Sequence, residues 1–313
     1  MEQQAVKILR GLFFLLITML LVAPPSAVTA AATSERSLQV GSLRRAFRIY
    51  VPSALASPAA LVFVLHGGGG TARQMERSVT FNALADRSGF VVVYPDAVDR
   101  NWNDGRNAAS IRSQRERVDD VGFISAVIDA LSREMRMDSR RIFATGISNG
   151  GFMSQRLAVD LSDRIAAIAP VASGMAPGLA ARFPPREPVS VLVMNGTKDP
   201  LVPYHGGRVL RDRGETIDTD EIIRIWVQHN RCRTPGVAVM LPDEDPADGT
   251  RVRKMTYTGC AGRAEVALYA IDGGGHTWPG GSQYLPRGII GRVCRDIDAA
   301  RVIWEFFAAH PKP

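Results

Sequence analysis

Six short stretches of the chain are nearly all apolar, as strands buried on both faces of a sheet should be. They are Ala60–Leu65, Phe90–Asp96, Arg141–Ala144, Ile165–Ala172, Val189–Gly196 and Glu265–Ile271. Between them lie stretches with helical spacing: residues 71–87, Val118–Met135, the run from Phe152 to Ala158, Thr219–Asn230 and Asp296–Ala309. Asp119 and Asp120 fall in the first turn of the second of these, where carboxylates favour the helix dipole. Residues 36–52 read as two short strands, residues 97–117 as polar loop, and residues 233–257 as irregular or β. Strands alternating with helices predict an α/β fold, a mostly parallel sheet with helices on both faces. No linker, repeat or low-complexity tract divides residues 31–313, so one domain is expected.

The first 30 residues break this pattern. Lys7 and Arg10 precede the apolar run Gly11–Val22, Ala23-Pro24-Pro25 ends it, and Ala27–Ala32 offers small residues for cleavage. That is a signal peptide, cleaved near Ala30–Ala32, and the run is shorter than the ~20 residues of a membrane span. The remaining chain is expected to be secreted, extracellular or periplasmic, with no stable membrane anchor. No cysteine lies near the cleavage region to carry a lipid. Cys232 and Cys260 flank a polar, Pro- and Asp-rich insertion and can pair in such a compartment. Cys294 is the third cysteine, and pairings that include it stay open at this point.

Composition is globular, with 46% apolar and 22% charged residues in 313. The formal charge is +7, but the basic residues are scattered and lack aromatic interleaving, so nucleic acid is not an expected partner. No Cys/His cluster has metal-ligand spacing, and neither metal nor cofactor is expected.

The chemistry concentrates in Gly146-Ile147-Ser148-Asn149-Gly150. This G-x-S-x-G lies between a strand-like and a helix-like run, the context in which a serine becomes an exposed nucleophile. Gly146 and Gly150 are expected to supply the φ freedom of a sharp turn. A serine hydroxyl needs a base, and the base an orienting acid. His276 follows the last strand inside Gly273-Gly274-Gly275-His276-Thr277-Trp278-Pro279-Gly280-Gly281. Asp199 follows the Val189–Gly196 strand, although Asp before Pro200 is also an ordinary turn. Asp218 and Asp220 are alternatives that look like helix starts. The glycine loop His66–Gly70 follows the first buried strand, where a second oxyanion donor belongs beside the N–H of Asn149. Trp102 and Trp278 are candidate substrate contacts, with packing onto the core as the competing role.

Taken together, Leu65-His66-Gly67, Trp102-Asn103-Asp104-Gly105, Val118-Asp119-Asp120-Val121-Gly122-Phe123, Gly146–Met153, Asn195-Gly196-Thr197-Lys198-Asp199-Pro200 and Gly275–Gly280 resemble the secreted polyhydroxybutyrate depolymerase and feruloyl esterase family. The resemblance runs from about residue 40 to the C-terminus. It implies an α/β-hydrolase fold, a triad of Ser148, Asp199 and His276, and an oxyanion hole from Asn149 and Gly68. It also maps the family's cysteine pair onto Cys232 and Cys260. No separate polymer-binding domain is expected, which favours soluble esters such as hydroxyalkanoate oligomers, hydroxycinnamoyl esters or other small esters. A serine exopeptidase or an acyltransferase on the same fold is the alternative, and a secreted binding protein without chemistry is the alternative of another class.

Overall fold

The computed structural model describes residues 31–210 and 212–313. The expected signal peptide lies outside the described residues. Among the described residues twelve strands run in chain order: β1 (Ala32–Val40), β2 (Leu43–Val51), β3 (Ala59–Leu65), β4 (Val91–Pro95), β5 (Met137–Ile147), β6 (Ala167–Val171), β7 (Ser190–Gly196), β8 (Gly207–Arg208), β9 (Glu215–Thr216), β10 (Thr234–Met240), β11 (Arg251–Thr258) and β12 (Val266–Asp272). The helices are α1 (Ala72–Ser78), α2 (Phe81–Ser88), α3 (Arg112–Arg115), α4 (Asp120–Glu134), α5 (Asn149–Asp160), α6 (Pro177–Ala181), α7 (Thr219–His229), α8 (Arg287–Ile290) and α9 (Ala299–Ala309).

Ten strands form one sheet in the order β1-β2-β4-β3-β5-β6-β7-β12-β11-β10, while β8 and β9 make a separate ribbon. The six from β4 to β12 in that order are parallel. Antiparallel pairs flank them on both sides. The parallel strands are the apolar runs because helices cover both faces and leave little room for polar side chains. Within β3 the two-residue period sorts the residues cleanly. Leu61, Phe63 and Leu65 join one buried cluster with Phe123 and Val127 of α4, Leu157 of α5 and Trp226 of α7. Ala60, Val62 and Val64 join the other, with Met75 of α1, Phe81 of α2 and Ile303 and Phe307 of α9. Phe143 stacks on Phe307 at 4.8 Å and Phe90 on Trp304 at 3.9 Å, which seats the terminal helix.

Local backbone and capping account for several boundaries that differ from expectation. The helical stretch 71–87 is two helices, since Val79 adopts extended backbone between them. Asp119 is the cap of α4, its side chain accepting from the Gly122 N–H at 2.7 Å. The last helix starts at Ala299 because Asp298 caps it. Asp296 turns away to accept the N–H groups of Glu244 and Asp245. Residues 233–257 hold most of the β10–β11 hairpin. Cys232 and Cys260 form a disulfide at its base, and Cys294 is a buried free thiol ahead of α9. Among the described residues no helix is long and apolar enough to cross a membrane.

Candidate active site

Ser148 stands between the C-terminal end of β5 and α5, at φ 56° and ψ −124°. A non-glycine residue at positive φ is uncommon, costs on the order of 1–3 kcal/mol, and is held by its surroundings. Here the Ser148 N–H donates to the Val171 carbonyl at 2.9 Å, and the Ser148 carbonyl accepts from Phe152 at 2.9 Å. The expectation for the flanking glycines needs correcting. Neither Gly146 nor Gly150 is among the glycines with positive φ. They are glycines because β3 passes so close: a Cβ would lie 2.6 Å from the Leu65 carbonyl oxygen at Gly146 and 2.4 Å from it at Gly150.

Asp199 and His276 come from the ends of β7 and β12, neighbouring parallel strands, so the sheet itself brings them together. His276 Nδ1 lies 2.7 Å from Asp199 Oδ2, with both side chains almost fully buried. An ionised carboxylate can only accept, so Nδ1 carries the proton and Nε2 keeps its lone pair. The other carboxylate oxygen accepts from the N–H groups of Leu201 at 2.7 Å and Val202 at 2.9 Å. The His276 backbone is held as well. The His276 N–H donates to Ile290, and its carbonyl accepts from the Tyr284 hydroxyl at 3.0 Å. Asp218 and Asp220 stand apart: Asp218 caps α7 and Asp220 lies in its first turn.

Ser148, Asn149, His276 and the loop His66–Gly70 line one cavity of about 530 Å³. In that loop the N–H groups of Gly69 and Gly70 are directed to the carbonyls of Arg100 and Gly67. Gly67 and Gly68 are therefore the glycines in which to look for an oxyanion donor. His66 itself is structural. It is 2% exposed, its Nε2 accepts from the Ala97 N–H at 3.1 Å, and its Nδ1 is 2.8 Å from the Gly67 carbonyl. Burial holds its pKa below the ordinary histidine value.

The two tryptophans separate. Trp278 lines the cavity, packed edge-on against Phe81. Trp102 does not: it is fully buried, and its indole N–H donates to the His66 carbonyl at 3.0 Å. Its backbone is clamped by the side chain of Asn149, whose Oδ1 accepts from the Trp102 N–H at 2.7 Å while Nδ2 donates to the Trp102 carbonyl at 3.1 Å. Asn149 Nδ2 also donates to Asp104, which takes two further bonds from the Arg106 guanidinium, at 2.9 and 2.6 Å. Trp102 thus ties the glycine loop to the start of α5. Residue-by-residue reading missed this network, although Trp102 and Asp104 lie in one of the sequence blocks that carry the resemblance. It also missed Arg213, which lines the cavity.

Residues 45–185 match the family described as Esterase PHB depolymerase. Over 295 residues the chain is 32% identical to NocK of Nocardia uniformis subsp. tsuyamanensis, a protein carrying the name of an esterase; the match spans 89% of this chain and 83% of that one. The chain belongs to the polyhydroxybutyrate depolymerase and feruloyl esterase family. This family member is a carboxylic ester hydrolase. It is also 27% identical over 218 residues to feruloyl esterase D of Neurospora crassa, covering 70% of this chain and 61% of that one. In fold it is similar to the acetyl xylan esterase from Aspergillus awamori, with a TM-score of 0.57 at 14% identity, over 88% of this chain and 99% of that one. The sheet and helices are those of an α/β-hydrolase. The family match includes Ser148 and ends before Asp199 and His276.

Proposed function

We propose that this esterase works through Ser148 as nucleophile, His276 as base and acid, and Asp199 as orienting carboxylate. The observation that carries this reading is the 2.7 Å Asp199–His276 pair opening into the same cavity as a serine held at φ 56°. The buried carboxylate fixes the tautomer in which Nε2 can accept a proton. Ser148 Oγ attacks the ester carbonyl as Nε2 takes its proton, and the carbonyl oxygen becomes an oxyanion. Collapse expels the alcohol, which His276 protonates, and leaves an acyl-serine. Water then attacks with the same base, releasing the acid and restoring Ser148. The N–H groups of Asn149 and Gly68 are the oxyanion donors, the first also at the positive end of α5. Removing one such donor from an enzyme typically costs about 3–4 kcal/mol of transition-state stabilisation. No metal or cofactor enters these steps.

The substrates are small esters of the kinds the relatives' names suggest, feruloyl or acetyl esters, or short hydroxyalkanoate esters. Export is part of the same proposal, supported by the leader-like residues 1–30 and by the Cys232–Cys260 disulfide. Ser148→Ala tests the chemistry. Hydrolysis of 4-nitrophenyl acetate should fall to the background of the buffer with the circular dichroism spectrum unchanged; retained turnover would remove Ser148 from the role.

A further inference from the structure

We infer that the cleft is built for an ester that also carries a carboxylate, and that Arg213 holds that group. The inference rests on the serine esterase reading and adds a substrate class to it. The walls of the cavity are largely apolar, with Met75, Val202, Leu210, Trp278 and Leu285 among them. Among the described residues no Asp or Glu lines it, while two arginines do. The Arg106 guanidinium grips buried Asp104 and lies 4.1 Å over the Phe152 ring. Arg213 is placed differently. A methyl group at Gly68 would come 2.5 Å from Arg213 Nη1, so the guanidinium lies directly against the glycine assigned to the oxyanion hole. A guanidinium has five N–H donors and stays charged at any working pH. It can hold a partner within the protein and still present a fork to a carboxylate.

The loop that carries Arg213 is anchored to the site. The Leu210 N–H donates to the Leu201 carbonyl at 2.9 Å, two residues past Asp199. The Val209 N–H donates to Gly214 at 2.9 Å, and the Ser110 hydroxyl donates to the Asp212 carbonyl at 3.0 Å. Gly214 in turn sits against Arg106, where a Cβ would meet the Arg106 Cβ at 2.8 Å. A cation held beside the oxyanion loop, in a pocket with no acidic side chain among its described lining residues, matches a substrate with an apolar body and a carboxylate a few carbons from the scissile carbonyl. Half-esters of dicarboxylic acids and acylated hydroxy acids both have this form.

The test is a ratio. The kcat/KM values of two matched pairs are measured for the wild type, Arg213→Gln and Arg213→Lys. Monoethyl glutarate against ethyl pentanoate places the carboxylate on the acyl side. 3-Acetoxybutanoate against its methyl ester places it on the alcohol side. The anionic-to-neutral ratio of at least one pair should fall about 10–100-fold in Arg213→Gln, the worth of a charge-assisted hydrogen-bonded contact. Arg213→Lys should fall in between, since it keeps the charge and loses the fork. The pair that responds says which side of the ester carries the carboxylate. Because both members of a pair are read on one preparation, a partly misfolded variant does not alter the ratio. A purely structural Arg213 would lower both members equally, and an unchanged ratio in both pairs overturns the inference. A wild type that hydrolyses no ester would instead overturn the esterase reading beneath it.

Discussion

Asp199→Asn is the substitution that separates geometry from charge at this site. Asn keeps the size of the carboxylate and one acceptor oxygen. That oxygen can still take the Leu201 and Val202 N–H groups, now held at 2.7 and 2.9 Å, so the turn after β7 survives. The amide nitrogen then faces His276 Nδ1 across 2.7 Å, and it is a donor. Two donors cannot face each other, so the imidazole shifts its proton to Nε2 and loses the lone pair that deprotonates Ser148. In a well-studied serine protease the same exchange of orienting Asp for Asn lowers kcat about 10⁴-fold, and about 5.5 kcal/mol of barrier corresponds to that factor. The burial here leaves water little access to substitute for the lost partner, with the Asp199 and His276 side chains 3% and 4% exposed. We expect a loss of about 10³–10⁴ in kcat on 4-nitrophenyl acetate, with a melting temperature close to the wild type's. Asp199→Ala should lose comparable activity and also stability, since it strips both turn N–H groups of their acceptor. An Asp199→Asn enzyme with a tenth or more of wild-type turnover would refute the assignment of the acid.

Two further outcomes follow from the same structure. Burial keeps the folded-state pKa of His66 below the roughly 6.5 of an unfolded histidine. Its contribution to stability is therefore complete above that pH and declines as pH falls from it toward the lower folded pKa, by up to about 1.4 kcal/mol per pH unit. The wild type's stability relative to His66→Gln, from urea melts between pH 8 and 5, should shrink on acidification, and a pH-independent difference would contradict this. Cys232–Cys260 spans a sequence separation of 28, and the chain-entropy model gives it about 3–4 kcal/mol. The double Cys→Ser variant should lose stability of that order in denaturant melts; an unchanged midpoint would show that the closed loop is already restrained without it.

Much of the architecture is legible in the sequence because its strongest signals are local. The run Ala60–Leu65 has no polar residue and reads as a strand covered on both faces, which is where it lies. Gly146–Gly150 and the strand ends at Asp199 and His276 mark the proposed site, since an α/β sheet presents its chemistry at strand ends. What stayed hidden depends on contacts distant in sequence. The glycines around Ser148 are dictated by the backbone of β3, some 80 residues earlier, and not by their own torsions. Trp102 looks like any exposed loop aromatic until Asn149, 47 residues on, is seen to clamp its peptide. Asp296 looks like a helix start, and only the fold shows its carboxylate turned to Glu244 and Asp245. Arg213 sits in a polar stretch without periodicity, so nothing local marks it as part of the cavity.

The central claim is that Ser148 is the nucleophile, and covalent capture tests it most directly. Treating the protein with a fluorophosphonate probe and mapping the adduct by peptide mass spectrometry should show one phosphonyl group per chain, on the peptide containing Ser148, and none on Ser148→Ala. No adduct on the active wild-type enzyme, or an adduct on another residue, would contradict the account.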